Sequence, residues 1–350
     1  MIDYAPAEFE YPTTRYSGSK RQLLTWLWEH VSKLRFQSVL DVFGGTGSVS
    51  LLFKRYGKQT HFNDILKFNQ LIAKAVVENE SVTVSDEELD SILEFREPEY
   101  PDYIASTFSG VFFTDEENRW LDRAVTEINK LQNPFKHAML MASLFQACLA
   151  KRPFNLFHRA NLYIRTANVK RSFGNKTTWE HPFPLLLRRY MHQYNRAIFS
   201  NSQRNRVVGG FDAIVAPNGV DLVYLDPPYF SLNQGCGTNY MTFYHFLEGL
   251  ADYDNWQSRT CHSSKILRLP DTPEITHFVR KSEIMNSFKQ LLERYSHTTT
   301  VLSYHNNGIP SKEEILSMFV EMGKKVEVYE KPYKYALSKK RKEELLFIAI

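Results

Sequence analysis

The stretch YLDPPYF, residues 224–230, places an acid and an aromatic hydroxyl directly after a short apolar run. The run predicts a β-strand, and the two prolines end it because they fix φ and carry no backbone donor. Asp226 and Tyr229 are therefore predicted at the carboxyl end of a strand, the edge where open α/β sheets bind ligands. A carboxylate at that edge can accept hydrogen bonds from a substrate. By itself an Asp-Pro pair more often marks a simple turn, so other segments must decide.

A second candidate site is the glycine-containing segment DVFGGTGSVS, residues 41–50. Its flanks predict a strand before and a helix after it, so the amides of Gly45 and Gly47 can approach a ligand at the positive end of the helix. Asp64 ends a second predicted strand, where Rossmann-type folds place an acid on ribose hydroxyls. No Gly-Lys-Ser/Thr follows the glycines, which excludes a P-loop. A nicotinamide or flavin site and an S-adenosylmethionine site both remain.

The acid before the glycines separates these two kinds of cofactor. Asp41 would repel a pyrophosphate, and Ser50 stands where the pattern G-x-G-x-x-G has its third glycine. A carboxylate suits a cofactor with a cationic amino acid portion, which S-adenosylmethionine has. The first strand therefore favours S-adenosylmethionine.

The elements around these segments predict an α/β chain with a helical insertion. Strands are predicted at residues 38–43, 59–64, 219–226 and 298–304, and a β-hairpin from residues 324–333 and 344–350. Two strand-helix units in succession indicate a parallel sheet. Between residues 81 and 194 the patterns are mainly helical, and the loop between the third and fourth of these helices is basic.

Charge is distributed unevenly, although the net charge is only +4. Residues 81–130 contain 13 acids and 4 Lys or Arg, whereas residues 151–206 contain 12 Lys or Arg and a single acid, Glu180. Aromatic residues are interleaved with the basic ones, a mixture that suits phosphate neutralisation and packing on sugars or bases. A solvated basic face is the alternative interpretation.

Composition excludes several other classes. The 350 residues, 43% of them hydrophobic, can bury a full core. There is no apolar run of about 18 residues and no basic-then-apolar amino terminus, so we predict neither a membrane span nor a signal peptide. Cys148, Cys236 and Cys261 lie far apart without C-x-x-C spacing, which argues against a disulfide framework and a zinc site. We predict no metal.

Three motifs, in this order, resemble the DNA adenine methyltransferase (Dam-like) family of bacterial and phage amino-methyltransferases. RYSGSK, residues 15–20, is similar to the family's amino-terminal cofactor motif, DVFGGTG to its cofactor loop and DPPY to its catalytic motif. The resemblance implies an α/β, Rossmann-like S-adenosylmethionine-dependent methyltransferase sheet that ends in a β-hairpin. It places a discontinuous catalytic core at residues 1–80 and 205–350. An inserted, mainly helical target-recognition domain occupies residues 81–204.

The resemblance also implies roles for individual residues. The Asp226 carboxylate and a backbone carbonyl at Pro227 would accept hydrogen bonds from the two hydrogens of a target amine. The rigid prolines, including Pro228, would fix that carbonyl. Tyr229 would stack on the base. The predicted cofactor-binding residues are Tyr16, Lys20, Asp41, Phe43, Gly45, Gly47, Asp64 and Asp212. The predicted DNA contacts are Arg159, Arg165, Lys170, Arg171 and Lys176. Tyr240, Tyr244 and His245 lie at helical spacing, where such residues more often belong to the core, and the pocket edge is the alternative position.

The predicted function is site-specific methylation of double-stranded DNA, with S-adenosylmethionine as donor and the exocyclic N6 amine of a flipped-out adenine as acceptor. The alternatives are an RNA adenine-N6 or DNA cytosine-N4 methyltransferase, and a catalytically inactive DNA-binding partner with the same fold. The enzyme would be solitary or the modification half of a restriction system, with a cognate restriction endonuclease as partner. We expect a bacterial or phage protein of the cytoplasm, associated with the nucleoid.

Overall fold

The fold is built on a seven-stranded sheet, seen in a computed structural model that describes residues 2–167, 176–231, 236–333 and 342–350. The strands of this sheet are β1 (Ser38–Asp41), β2 (Gln59–Asn63), β3 (Arg206–Gly209), β4 (Leu222–Leu225), β7 (Thr299–His305), β8 (Val326–Tyr333) and β9 (Lys342–Ala349). Two short strands, β5 (Phe230–Ser231) and β6 (Cys236–Gly237), form a separate antiparallel pair.

The strand order, β3-β2-β1-β4-β7-β9-β8, determines where a ligand can bind. Strands β3, β2, β1, β4 and β7 are parallel, whereas β9 is antiparallel to both β7 and β8. The chain runs from β1 outward to β2 and β3 and then returns to β4 on the other side of β1. This reversal creates a switch point at the carboxyl ends of β1 and β4, where open α/β sheets bind ligands.

Helices surround the sheet. They are α1 (Leu24–Val31), α2 (Ser48–Arg55), α3 (Lys67–Ala73), α4 (Asp86–Ile92), α5 (Tyr103–Thr107), α6 (Asp115–Asn129), α7 (Pro134–Ala150), α8 (Tyr163–Thr166), α9 (Lys176–Glu180), α10 (Phe183–Arg196), α11 (Tyr240–Ala251), α12 (Tyr253–Arg259), α13 (Pro273–Thr276), α14 (Ile284–Arg294) and α15 (Lys312–Glu321). Short 3₁₀ turns occupy Arg21–Leu23 and Pro153–Asn155, and a π-helical turn, Lys74–Glu78, extends α3. Helices α4, α6 and α15 begin with capping boxes, in which a Ser or Thr and a Glu three residues later satisfy each other's backbone amides.

Both faces of the sheet are covered, because successive side chains of a strand point to opposite faces. In β4, Leu222 and Tyr224 pack into a core with α1 and α2, while Val223 and Leu225 pack into a core with α14 and α15. Four consecutive buried residues are what a central strand of a two-faced sheet requires. The sheet is thereby rigid at the ends of β1 and β4, where the site lies.

The helices between β2 and β3 share a core with the rest of the chain. Helix α7 is buried along most of its length and packs against α3 and α10. Its apolar residues belong to one cluster with Phe62 of β2, Phe68 of α3 and Phe246 of α11. A separate recognition domain at residues 81–204 stays a prediction, and these helices are packed onto residues from both sides of that segment.

The predicted α/β sheet and its carboxyl-terminal hairpin are confirmed. Strands β1, β2, β4 and β7 lie within three residues of their predicted bounds. Strand β3 was not predicted: it is short, partly exposed, ends in glycine and pairs with β2 through an irregular register. Among the described residues, no helix combines the length and the apolar character needed to cross a membrane.

Candidate active site

The glycine loop connects β1 to α2 at the switch point. Gly45 and Gly47 have φ values of +52° and +72°, in the left-handed region that favours glycine. Gly47 is the N-cap residue of α2, which begins at Ser48. The loop therefore turns tightly from the end of β1 into the helix, as the sequence predicted.

A pocket lies against this loop, with about 970 Å³ of empty space including the solvent at its mouth. Its walls come from the loop before α1, from the ends of β1, β2 and β4, and from residues of α11 and α13. The predicted site residues in its lining are Tyr16, Lys20, Asp41, Phe43, Gly45, Asp64, Asp212, Asp226 and Pro228. Gly47, Pro227 and Tyr229 are not part of the lining, although each is close in sequence to a residue that is. Segments that are far apart in the sequence, from Tyr16 to Phe278, thus meet in one cavity.

Asp41 is a buried acid with one unused oxygen. Its Oδ2 accepts a hydrogen bond of 2.6 Å from the Ser50 hydroxyl, whereas its buried Oδ1 has no hydrogen-bond partner among the described residues. Burial raises the pKa of Asp41 to about 7, although the hydrogen bond from Ser50 lowers it in part. A buried acceptor without a donor costs free energy until a donor arrives. Asp41 therefore fits the cationic amino acid portion of S-adenosylmethionine.

Asp64 connects the end of β2 to the glycine loop. Its Oδ2 accepts a hydrogen bond from the amide of Gly45, and its Oδ1 accepts one from the amide of Leu66, both at 2.8 Å. Burial raises the pKa of Asp64 to about 6, and these backbone hydrogen bonds oppose the increase. Each carboxylate oxygen has a second lone pair, so the predicted contact with a ribose is compatible with this arrangement.

Aromatic residues form one wall of the pocket. The ring of Tyr16 stacks on Tyr244 and Tyr240, with centroid distances of 4.6 and 5.3 Å. The hydroxyl of Tyr244 accepts a hydrogen bond of 2.7 Å from the amide of Ser17, so Tyr244 is a core residue, as predicted. Tyr240 lines the pocket, which is the alternative position that the sequence left open. Helical spacing alone does not distinguish a core position from a pocket wall.

Asp212 lies beside the short helix α13. Its Oδ2 is 3.1 Å from Nδ1 of His277, and its Oδ1 accepts a hydrogen bond of 3.2 Å from the amide of Ile214. Phe43 packs edge to face against Phe278, with 5.3 Å between ring centroids. The residues that follow α13 therefore contact two of the predicted cofactor residues.

The segment Asp226–Tyr229 lies between β4, which ends at Leu225, and β5, which begins at Phe230. The strand ends immediately before the aspartate that precedes the prolines, as predicted. Asp226 faces the pocket with 18% of its side chain exposed. Its carboxylate is thus held at the end of a buried strand and remains accessible from the cavity.

Lys20 connects the amino-terminal motif to the catalytic segment. Its Nζ lies 3.0 Å from Oδ1 of Asp226 and 2.9 Å from Oε1 of Glu344, and it donates a hydrogen bond to the Tyr229 hydroxyl. That hydroxyl lies 2.9 Å from Oδ1 of Asp226 and 3.1 Å from Oε1 of Glu344, so its single hydrogen is shared between the two carboxylates. Lys20 and Glu344 are buried, with 4% and 0% of their side chains exposed. We name Lys20, Asp226, Tyr229 and Glu344 together the Lys20 cluster.

Burial raises the pKa of Asp226 to about 6. The ammonium of Lys20 opposes this increase, and the carboxylate of Glu344 adds to it. Asp226 is therefore ionised at neutral pH and becomes protonated in a mildly acidic range. Its capacity to accept hydrogen bonds on both oxygens depends on that ionisation.

The ring of Tyr229 packs against the end of β7. It contacts His305 and Tyr304 edge to face, with centroid distances of 4.6 and 5.4 Å. Nζ of Lys20 lies 4.7 Å from the centroid of the same ring. These contacts fix the orientation of the ring, and its stacking on a base stays a prediction.

Glu344 and His305 were missed by the sequence analysis. His305 is the last residue of β7 and is paired with Glu344 of β9 across the antiparallel ladder. An acid at the start of the apolar strand LLFIA was a usable signal, because a central strand buries both of its faces. The partner of such an acid cannot be inferred from the sequence, since Lys20 lies at the other end of the chain.

The predicted DNA contacts lie in different environments. Arg159 is exposed. Arg165 has only 7% of its side chain exposed and pairs with Glu117 at 2.7 Å. In this structure it therefore stabilises the helices between β2 and β3, which we call the helical block. Lys176 is the first residue of α9. Lys170 and Arg171 lie outside the described residues.

Several acids of residues 81–130 form ion pairs with basic residues of the segment 151–206. Glu117 pairs with Lys151 at 2.8 Å as well as with Arg165, and Arg188 of α10 pairs with Asp86 and Asp90 of α4. The acidic and basic segments therefore neutralise each other at several positions. The lysines and arginines of residues 151–206 are consequently not all available to a nucleic acid.

Exposed aromatic side chains lie in the same segment. Phe154 is 58% exposed and has a φ of +62°, and Tyr163 is 68% exposed. The left-handed region is unfavourable for a residue with a bulky side chain, and such strain is concentrated at functional sites. The loop at Phe154 is therefore a candidate contact surface beside Arg159.

Comparison with known proteins identifies the family of this chain. The profile of the family described as D12 class N6 adenine-specific DNA methyltransferase matches residues 16–318. The type II methyltransferase M2.HphI of Haemophilus parahaemolyticus is 29% identical over 97% of this chain and 98% of its own length. The type II methyltransferase M.NlaIII of Neisseria lactamica is 26% identical over 88% of each chain. The chain spans about half the length of M.FokI of Planomicrobium okeanokoites, to which it is 27% identical.

The family match supports DNA adenine over the RNA and cytosine-N4 alternatives, and an enzyme over an inactive partner. It extends from the motif that contains Lys20, across the glycine loop and DPPY, to α15. The chain belongs to the D12 class of N6 adenine-specific DNA methyltransferases, and it is an enzyme that transfers the methyl group of S-adenosylmethionine to adenine N6 at specific sites in DNA.

Proposed function

We propose that Asp226 is the acceptor that activates the target adenine and that the adjoining pocket holds the cofactor. The observation that supports this most directly is the position of Asp226, which lies at the end of β4, lines the pocket and belongs to the Lys20 cluster. Among the described residues, its hydrogen bonds fall on Oδ1, from Lys20 and Tyr229. Oδ2 is then the acceptor oxygen for an incoming amine.

The exocyclic amine of adenine is a poor nucleophile because its lone pair is delocalised into the ring. Acceptors for both amine hydrogens pull the nitrogen toward a tetrahedral geometry and stabilise the positive charge that it acquires. Asp226 supplies one acceptor and the backbone carbonyl at Pro227 the other. The proline rings fix that carbonyl, so the amine is held in one orientation.

The pocket residues fit S-adenosylmethionine, which supplies a methyl group on a sulfonium when bound. The unpaired Oδ1 of Asp41 would hold its cationic amino acid portion. Asp64 would hold the ribose, and Asp212 would lie near the adenine. Tyr16 and Phe43 offer apolar faces at the same pocket. These assignments derive from the location of each residue in one cavity that ends at Asp226.

The helical block is proposed to carry the DNA contacts. A base within a duplex cannot reach Asp226, so the target nucleotide must leave the stack at a cost of a few kcal/mol. The exposed Arg159 and the loop at Phe154 are suited to contact phosphates and to fill the space left by the base. Lys170, Arg171 and Lys176 remain candidates from the sequence, whereas the buried pair of Arg165 with Glu117 makes a structural role the better assignment.

A cognate restriction endonuclease is the proposed partner in the cell. Relatives of this chain are named type II methyltransferases and modification methylases, which supports a role as the modification half of such a system. DNA treated with the enzyme should then resist one endonuclease of matching specificity. Cleavage of fully methylated DNA by every candidate endonuclease of the host would favour a solitary methylase.

One experiment tests the proposed site. The protein is incubated with labelled S-adenosylmethionine and unmethylated DNA, and modified bases are mapped by single-molecule sequencing for the wild type and for Asp226→Ala. We expect N6-methyladenine at one sequence motif for the wild type, and almost none for the variant at equal cofactor occupancy. Equal modification by both proteins would refute the role of Asp226.

A further inference from the structure

Glu344 is a fully buried carboxylate that shares its partners with Asp226. The two acids come from different strands, Glu344 from β9 and Asp226 from the end of β4. One ammonium and one phenol lie between them. Lys20 Nζ is 2.9 Å from Oε1 of Glu344 and 3.0 Å from Oδ1 of Asp226. The Tyr229 hydroxyl is 3.1 Å and 2.9 Å, respectively, from the same two oxygens. A buried carboxylate requires a compensating partner, and Lys20 is a partner of both acids.

We infer that Glu344 is a positioning residue for methyl transfer, holding Lys20 and Tyr229 so that Asp226 keeps an oxygen for the adenine amine. This inference rests on the proposed role of Asp226 as acceptor. Nothing in the family match assigns a function to this glutamate. Its role is inferred from contacts that join three distant parts of the chain.

The first reason is competition for Asp226. A charge-assisted bond from an ammonium is stronger than a bond from a neutral amine. Without Glu344, Asp226 would be the one carboxylate among the described partners of Lys20. The second carboxylate holds Lys20 at nearly the same distance on its other side and limits this competition.

The second reason is the net charge of the Lys20 cluster. The carboxylate of Glu344 adds a negative charge to the pair formed by Asp226 and Lys20. The target nitrogen becomes positive as it bonds to the methyl group, and a fixed negative charge beside it stabilises that state. Removal of the Glu344 charge should therefore slow transfer without removing any group that contacts cofactor.

The pH dependence of Asp226 gives a readout that a purely structural role would not change. The charged and titratable groups around the two acids are Lys20 before α1, Asp41 of β1, Tyr224 of β4, Tyr229, Tyr240 of α11 and His305 of β7. Glu344 raises the pKa of Asp226 through its negative charge. Neutralising it should lower that pKa and move the acidic limb of the rate profile to lower pH.

The test compares Glu344→Gln with Glu327→Gln, which makes the same chemical change at an exposed position of β8. Single-turnover methyl transfer is measured across pH 5 to 8, together with cofactor and DNA affinity. By analogy with residues that orient metal ligands, we expect transfer by Glu344→Gln to fall roughly 10–100-fold, with unchanged affinities and an acidic limb at lower pH. Glu327→Gln should match the wild type.

A wild-type rate and acidic limb in folded Glu344→Gln would overturn the inference, and so would a loss confined to cofactor or DNA affinity. If that variant does not fold, Glu344→Asp replaces it. The shorter acid keeps the charge, so the acidic limb should stay in place while the rate falls at least about tenfold; a wild-type rate would again overturn the inference. Asp226→Ala, assayed in parallel, separates the two proposals: activity in that variant would refute the acceptor role itself.

Discussion

The ammonium nitrogen of Lys20 lies 3.0 Å from Oδ1 of Asp226, although the two residues belong to motifs that are far apart in the sequence. The contact is buried, and it also includes Glu344 and Tyr229. The amino-terminal motif therefore contributes both to the Lys20 cluster and to the lining of the pocket. Lys20→Met should consequently affect both methyl transfer and cofactor binding.

Asp226→Ala should abolish most of the methyl transfer while leaving cofactor binding nearly unchanged. The lost interaction strengthens as the nitrogen becomes positive, so its loss falls on the chemical step. By analogy with one donor of an oxyanion hole, the cost is roughly 3 kcal/mol, about a hundredfold to a thousandfold in rate. Single-turnover assays with measured cofactor affinity check this, and Asp226→Asn, which keeps one acceptor oxygen, should retain more activity than the alanine variant.

Methyl transfer should fall as the pH drops through about 6. The pKa of Asp226 is raised to about 6 by burial, so the carboxyl becomes protonated at a higher pH than an ordinary aspartate and then loses acceptor capacity. The rate should therefore be low below that pH and level off above it. Single-turnover rates at saturating cofactor and DNA test this, and an acidic limb that persists unchanged in Asp226→Asn would assign it to another group.

Cofactor affinity should rise with pH through about 7 and should depend on Asp41. Burial raises the pKa of this carboxyl to about 7, and a cationic ligand favours its ionised form, so binding near neutral pH releases a proton. Asp41→Asn should weaken binding by about tenfold to a hundredfold, since a hydrogen bond to a charged group contributes roughly 1.5–3 kcal/mol. Calorimetry in buffers of different ionisation enthalpy measures this proton release. Cofactor binding to Asp41→Asn should release no such proton.

Neutralising Lys170 and Arg171 should weaken DNA binding and lower its salt dependence. Each lost phosphate contact reduces the slope of log affinity against log salt by about 0.9. Arg188→Ala is the matched control, because Arg188 already pairs with Asp86 and Asp90. Unchanged DNA affinity and an unchanged salt slope in the double variant would show that these two residues belong to a solvated basic face that does not contact DNA.

Phe154→Ala should impair extrusion of the target base. Stacking of a base on an aromatic ring contributes about 1–3 kcal/mol, so the flipped population should fall by roughly fivefold or more. Fluorescence of 2-aminopurine at the target position reports that population. Phe154→Tyr keeps the ring and should behave like the wild type, whereas equal loss in both variants would argue against stacking.

Much of the site could be predicted from local sequence. Prolines after Asp226 end a strand, and glycines after β1 permit a tight turn, because both effects depend on the backbone of a few adjacent residues. Parallel strands bring their carboxyl ends to one edge, so Asp41, Asp64 and Asp226 were predicted there together. The structure places all three in one pocket.

The sequence by itself determined the central strands, their order along the chain and the motifs that they carry, since these depend on periodicity and on backbone conformation. Only the tertiary structure decided the partners of the charges. Glu344 pairs with Lys20, and Arg165 with Glu117, across long stretches of chain. Such pairs depend on the burial of both groups in three dimensions. The residue type alone does not show whether a charged side chain is buried in a pair or exposed to solvent.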